Sequence, residues 1–151
     1  MCDYSLMGVP NRLATEGEEL VVHRFSTGSL GLASPSDLRR VPHPLQAWIS
    51  GFWLFRAPEE DAIPAVCIPP GAKLLLQDIP IDLERSLKVG WAEEVTFTQL
   101  TAAANTYRDA IRFKNGNEIY LQELREGQRV KVLHLSLANE AVRRERKESL
   151  L

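Results

Sequence analysis

Two cysteines and three histidines are the residues of this chain best suited to chemistry: Cys2, Cys67, His23, His43 and His134. Thiolate and imidazole are ligands that zinc prefers, and they also suit copper and iron. One reading is therefore a metal site with Cys2 and Cys67 as thiolates and His23 or His134 as imidazole, catalytic if a coordination position stays open. The sequence contains no Cys-x-x-Cys, His-x-His or His-Glu-x-x-His spacing. Such a site has to be assembled by the fold from distant segments. The same cysteines could instead pair as a disulfide, an arrangement suited to redox sensing. Cys67 alone, in Ala65-Val66-Cys67-Ile68-Pro69-Pro70-Gly71, also fits a small apolar core side chain. His43, between Pro42 and Pro44, reads as a loop residue.

Removal of Met1 would leave Cys2 with its own amine beside it, the nucleophile-plus-base pair of N-terminal nucleophile hydrolases. Against this, Asp3-Tyr4-Ser5 does not match an amidotransferase start, and the chain is short for that fold. Arg108, Asp109 and Arg112 fall on one probable strand. The period of two puts both arginines on one face and Asp109 on the other. The arginine pair could hold a carboxylate or phosphate, although a solvated outer face is the favoured reading.

Trp48, Phe52 and Trp53 form an aromatic cluster that could line an apolar pocket or a partner surface. No acid–base dyad, phosphate loop or nucleophile elbow is recognisable elsewhere. The leading functional expectation is accordingly a binding or accessory protein, with an apolar ligand, a protein partner or a second copy of the chain. The thiolate metal site is the alternative, with zinc, iron or copper, and the Cys2 nucleophile the second alternative.

The elements that must position these residues are mostly short strands. Glu18 to Phe25 is a β-branched run, and Ser29 to Ala33 follows a glycine turn. Ser34-Pro35 starts a short helix that the Pro42 and Pro44 pair must end. Gln46 to Arg56 reads as a strand broken at Gly51 or as a short amphipathic helix, with the strand favoured. Ile63 to Ile68 and Lys73 to Leu76 are strands separated by Pro69-Pro70-Gly71. Ile81 to Trp91 alternates unevenly, and Val95 to Leu100 alternates cleanly. Tyr107 to Phe113 and Glu118 to Leu124 flank Asn115-Gly116, a strong hairpin signal. With Arg129 to Leu135 they predict a three-stranded meander. Residues 138–151 read as a terminal docking helix with pairs such as Glu140 and Arg144. The expected fold is mainly β, an antiparallel barrel or roll of short strands with a C-terminal helix, in a single domain over 1–151.

Composition narrows the function classes. The 151 residues are 44% hydrophobic and 25% charged, enough to bury a core without a metal or disulfide. The net charge of −2 provides no strong positive field, so sequence-independent nucleic-acid binding and attraction to anionic lipid are disfavoured. No secretory signal or membrane-length apolar run is apparent, and with two cysteines the expected setting is a reducing, bacterial-type cytoplasm.

The opening Met-Cys-Asp-Tyr-Ser-Leu, Ala65-Val66-Cys67 and Leu124-Arg125-Glu126-Gly127-Gln128 resemble a group of small uncharacterised bacterial proteins with no established activity. The likeness covers most of the chain in scattered pieces. It includes Cys2 and Cys67, which draws attention to them as a pair. Some of those proteins carry histidines where Thr106-Tyr107-Arg108 stands here, so the resemblance implies a ligand position that this chain does not have.

Overall fold

A computed structural model describes residues 6, 8–39, 63–101, 103 and 105–135. Nine strands are present among these residues: β1 (Asn11–Leu13), β2 (Glu19–Arg24), β3 (Leu30–Ala33), β4 (Ala65–Cys67), β5 (Lys73–Leu76), β6 (Glu93–Gln99), β7 (Asp109–Phe113), β8 (Glu118–Tyr120) and β9 (Arg129–His134). Two short helices, α1 (Pro35–Arg39) and α2 (Ile81–Leu87), and a 3-10 turn (Leu121–Glu123) join them. The fold is mainly β. The proposed strand over Gln46 to Arg56 and the proposed helix over 138–151 lie outside the described residues.

Seven strands form one antiparallel sheet in the order β3-β2-β9-β5-β6-β7-β8. Its inner face follows from the apolar alternation of each strand. Val22 pairs with Leu32, Leu20 with Val130, and Leu76 with Val130. Leu74 is flanked by Val132 and Val95, and Val95 by Phe113. Phe97 pairs with Ile111, which pairs with Ile119 on the far edge. These cross-strand pairs belong to one buried cluster that also holds Val66, Ile68 and Leu121. Strands β1 and β4 form a separate parallel pair. They help enclose a second cluster of Leu6, Val9, Phe25, Ala33, Ile63 and Ala65. With apolar packing on both of its sides, β3 is buried along its whole length.

The expected meander is not formed: β9 leaves β8 and inserts between β2 and β5. Its two buried positions, Val130 and Val132, meet Leu20, Leu74 and Leu76 there. A central position covers both edges of β9, whereas pairing with β8 would have covered one. Nor does the sheet close as a barrel ladder among the described residues. Instead, one side chain joins the end strand β3 to the 3-10 turn that follows the other end strand, β8. Gln122 Nε2 donates to the Leu30 carbonyl at 2.7 Å, and the Leu30 N–H donates to Gln122 Oε1 at 2.9 Å. A glutamine amide offers one donor and one acceptor side by side, as a neighbouring peptide would.

Two glycines carry geometric demands. Gly116 has φ +91° in the hairpin turn, where the Phe113 N–H donates to the Asn117 carbonyl at 2.8 Å. Gly31 lets Phe25 and Leu6 approach β3; a Cβ there would lie 2.8 Å from Phe25 Cε2 and 2.9 Å from Leu6 Cδ1.

Ile81 to Trp91, which alternated unevenly, contains α2. Pro80 precedes it as N-cap residue, and Asp82 and Glu84 occupy its first turn, where they favour the positive end of the helix dipole. At its other end Lys88 adopts a left-handed conformation. Asn115 Nδ2 and Asn117 Nδ2 donate to the Leu87 carbonyl at 2.8 and 2.7 Å. The hairpin turn thus also caps a helix.

Glu18 anchors β1 to the start of β2. Its carboxylate accepts bonds from the Arg12 guanidinium, the Thr15 N–H at 3.0 Å and the Thr15 hydroxyl at 3.2 Å. The Arg12 bond is the main cause holding this carboxyl below its ordinary value of 4.5. A depressed carboxyl contributes stability above the unfolded value, and the contribution is lost as pH falls through the folded value. The urea midpoint of the native chain should therefore drop more steeply below about pH 4.5 than that of Glu18→Gln. Parallel curves for the two proteins would contradict this role.

Candidate functional site

The alternation Asp109, Ile111, Phe113 along β7 points a carboxyl group to the same side as two core residues. Asp109 is accordingly 4% exposed. Gln99 Nε2 donates to its Oδ1 at 3.2 Å from the facing position on β6. Nearby, the Tyr107 hydroxyl and Ser29 Oγ lie 3.2 Å apart in a hydrogen bond. Arg112, on the other face, donates to Glu118 Oε1 at 2.5 Å and is exposed. Arg112 is therefore in an ordinary surface ion pair, and Arg108, just before β7, is half-buried.

Asp109 shares a small cavity with Cys67. Leu6, Leu32, Val66, Phe97 and Leu121 contribute to its wall, joining the margins of the two apolar clusters. About 10 Å³ is free for the centre of a water-sized sphere, close to the threshold for one water. This is far below the several hundred Å³ of a small-molecule pocket. The cavity suits proton movement or one bound water, not an organic ligand.

Cys67 lies at the end of β4, 6% exposed, and it is disulfide-bonded. The chain has one other cysteine, Cys2, which is outside the described residues. A sulfur held in a disulfide carries no thiolate charge, so the metal reading of Cys67 applies to the reduced chain alone. His23 lies in β2, with its ring edge-on to Phe25 at 4.9 Å and Nδ1 3.9 Å from Glu126 Oε1. His134 ends β9, exposed and in register with Lys73. Among the described residues, no three His, Cys, Asp or Glu side chains converge as a metal site would require. Trp48, Phe52, Trp53 and His43 are outside the described residues.

The described surface offers a different apolar feature. Trp91 is 63% exposed and Ile81 60% exposed. The Ile79 N–H donates to the Trp91 carbonyl at 2.9 Å, so the loop carrying Trp91 runs beside the entry to α2. Exposed charges of both signs surround the start and end of that helix: Asp82, Arg85 and Lys88. Asp82 accepts a bond from Arg125 Nη2 at 2.8 Å.

Asp109 and Trp91 were not singled out by residue type. The signal for Asp109 was present in the period of two, which set it opposite the arginines and in line with Ile111 and Phe113. Trp91 gave none, because its exposure depends on α2 replacing the apparent alternation. No family model, no curated protein and no solved structure matches the chain.

Proposed function

We propose that this chain is a small binding or accessory protein that acts through a protein partner, with Trp91 and Ile81 at the centre of the contact. The exposure of a tryptophan, and of an isoleucine two residues from the backbone partner of that tryptophan, carries this reading. Folding leaves both largely in water, and tryptophan is the residue most enriched among binding hot spots. The mixed charges of Asp82, Arg85 and Lys88 supply the polar rim that such contacts require. They suit a partner surface with an apolar centre and charges of both signs. A net charge of −2 also places little repulsion between two copies of the chain.

The reading includes a cytoplasmic setting. Among the described residues no helix is long and apolar enough to cross a membrane. Structural disulfides are rare in a reducing cytoplasm, where those that form are mostly transient or redox-sensing. In that setting the Cys67 bond would be one of these.

A photo-crosslinking residue placed at Ile81 in cells tests the contact. A discrete adduct should form and should fall by about 30-fold or more when Trp91→Ala is added, as loss of a hot spot of about 2 kcal/mol requires. An adduct of twice the chain mass would identify a second copy, and any other discrete mass a different protein. An adduct pattern indifferent to Trp91→Ala would contradict the proposal.

A further inference from the structure

We propose that Asn115 is a modification site: attack by the Gly116 backbone nitrogen converts its side-chain amide to a carboxylate, and the change releases the hairpin turn from α2. The inference does not rest on the contact at Trp91. Of the five asparagines in the chain, Asn115 is the one followed by glycine. Asparagine amides are among the chemically labile groups of a protein, and a following glycine leaves the attacking nitrogen without a shielding side chain. Asn115 and Gly116 are both exposed. Among the described residues, nothing lies within 4 Å of where a Cβ at Gly116 would stand. Water therefore has access to the turn.

The same amide holds a helix end. With seven residues, α2 is too short to persist on its own hydrogen bonds, and its last carbonyls have no donor within the helix. Asn115 Nδ2 donates to the Leu87 carbonyl at 2.8 Å and lies 3.4 Å from the Lys88 carbonyl. Its Oδ1 accepts from the Asn117 N–H at 3.0 Å, which fixes the orientation of the amide. A carboxylate has no donor to give. In the same place it would set a negative oxygen against two carbonyl oxygens, at the negative end of the helix dipole. The bond from Asn117 Nδ2 to the Leu87 carbonyl, at 2.7 Å, would then have to hold the turn there against that repulsion.

In the step, the Gly116 nitrogen gives up its proton and bonds to Asn115 Cγ, and the Cγ–Nδ2 bond breaks. The departing amide nitrogen takes a proton and leaves as ammonia. Water then opens the resulting cyclic imide at either carbonyl. One product is aspartate in the ordinary chain; the other is isoaspartate, with the backbone rerouted through the side chain. One water is consumed and one ammonia released, and nothing is oxidised or reduced. The Gly116 N–H donates to the Phe113 carbonyl at 3.0 Å, so the turn must open locally before the attack. Folding therefore sets the rate, and the product lacks the donor that closes the turn onto α2.

The full-length native chain, held in warm, mildly alkaline buffer, provides the test. Peptide mapping should place the mass gain of an amide-to-acid conversion at Asn115 ahead of every other asparagine. Hydrogen exchange read by mass spectrometry should then show α2 amides exchanging about fivefold or more faster in converted than in intact molecules, as loss of one hydrogen bond requires. Freshly purified Asn115→Asp should show the same loss of protection, with the amides of β9 unchanged in both. A merely local role for the amide predicts a change confined to the hairpin turn. Unchanged α2 protection in the converted molecules would overturn the inference. So would a folded chain with no conversion at Asn115 by the time a urea-unfolded sample has converted there. Should circular dichroism show Asn115→Asp unfolded, the aged native chain decides, because its intact and converted molecules are compared within one sample.

Discussion

Phe97→Ala should lower stability by about 3–5 kcal/mol, the cost of truncating a buried aromatic ring. Phe97 is 2% exposed in β6, pairs across the sheet with Ile111 and lines the Cys67–Asp109 cavity. Its ring also closes the main cluster at the point where the second cluster approaches. Removing it joins new empty volume to a cavity already present, so little collapse can offset the loss. Urea unfolding with an unchanged slope would measure the effect directly. Phe97→Leu keeps much of the volume and should cost distinctly less. A loss below about 1 kcal/mol for Phe97→Ala would mean that the site relaxes freely, contrary to the packing described.

The second large effect is expected at Cys67. Loss of a native disulfide from a small domain costs about 2–5 kcal/mol, chiefly by freeing the unfolded chain. Cys67→Ala should therefore lower the urea midpoint of the oxidised protein substantially. The alanine variant keeps an apolar side chain in β4, whose residues are all buried, so the change reports mainly on the cross-link. Dithiothreitol should lower the midpoint of the native chain to a similar degree and leave Cys67→Ala unmoved. A native chain equally stable with and without reductant would show that the bond contributes no constraint.

Much of the sheet was legible because its signals are local. The alternation in Val95-Thr96-Phe97-Thr98 set the inner face of β6, and Asn115-Gly116 fixed the hairpin between β7 and β8. Pro69-Pro70-Gly71 separated β4 from β5 as expected. The position of β9 was not legible. Arg129 to His134 alternates equally well beside β8 or between β2 and β5, and only the number of apolar edges it covers separates the two. α2 was hidden because Ile81, Leu83 and Leu87 satisfy no clean period, while the feature that starts the helix is the proline before it. The bridge from Gln122 to Leu30 spans residues far apart in sequence, and no pattern in either segment announces it.

The candidate site divides along the same line. Cys67 drew attention by residue type, and its buried place in β4 agrees with the strand signal around it. Asp109 was masked by its neighbours, since Arg108 and Arg112 invite a reading of the strand as a charged surface. Its core position emerges once Ile111 and Phe113 are taken as the reference face. The patch at Trp91 depends on the turn after α2, where exposure is set by tertiary placement and not by local pattern.

The central claim, that Trp91 and Ile81 form a protein contact surface, is tested most directly by hydroxyl-radical footprinting of Trp91. Oxidation of its ring would be compared between the purified chain at high dilution and the same chain inside intact cells, with exposed Tyr120 as an internal reference. Trp91 should oxidise readily when the chain is dilute and be protected several-fold in cells relative to Tyr120. Equal labelling of Trp91 in both settings would leave the patch in water and contradict the claim.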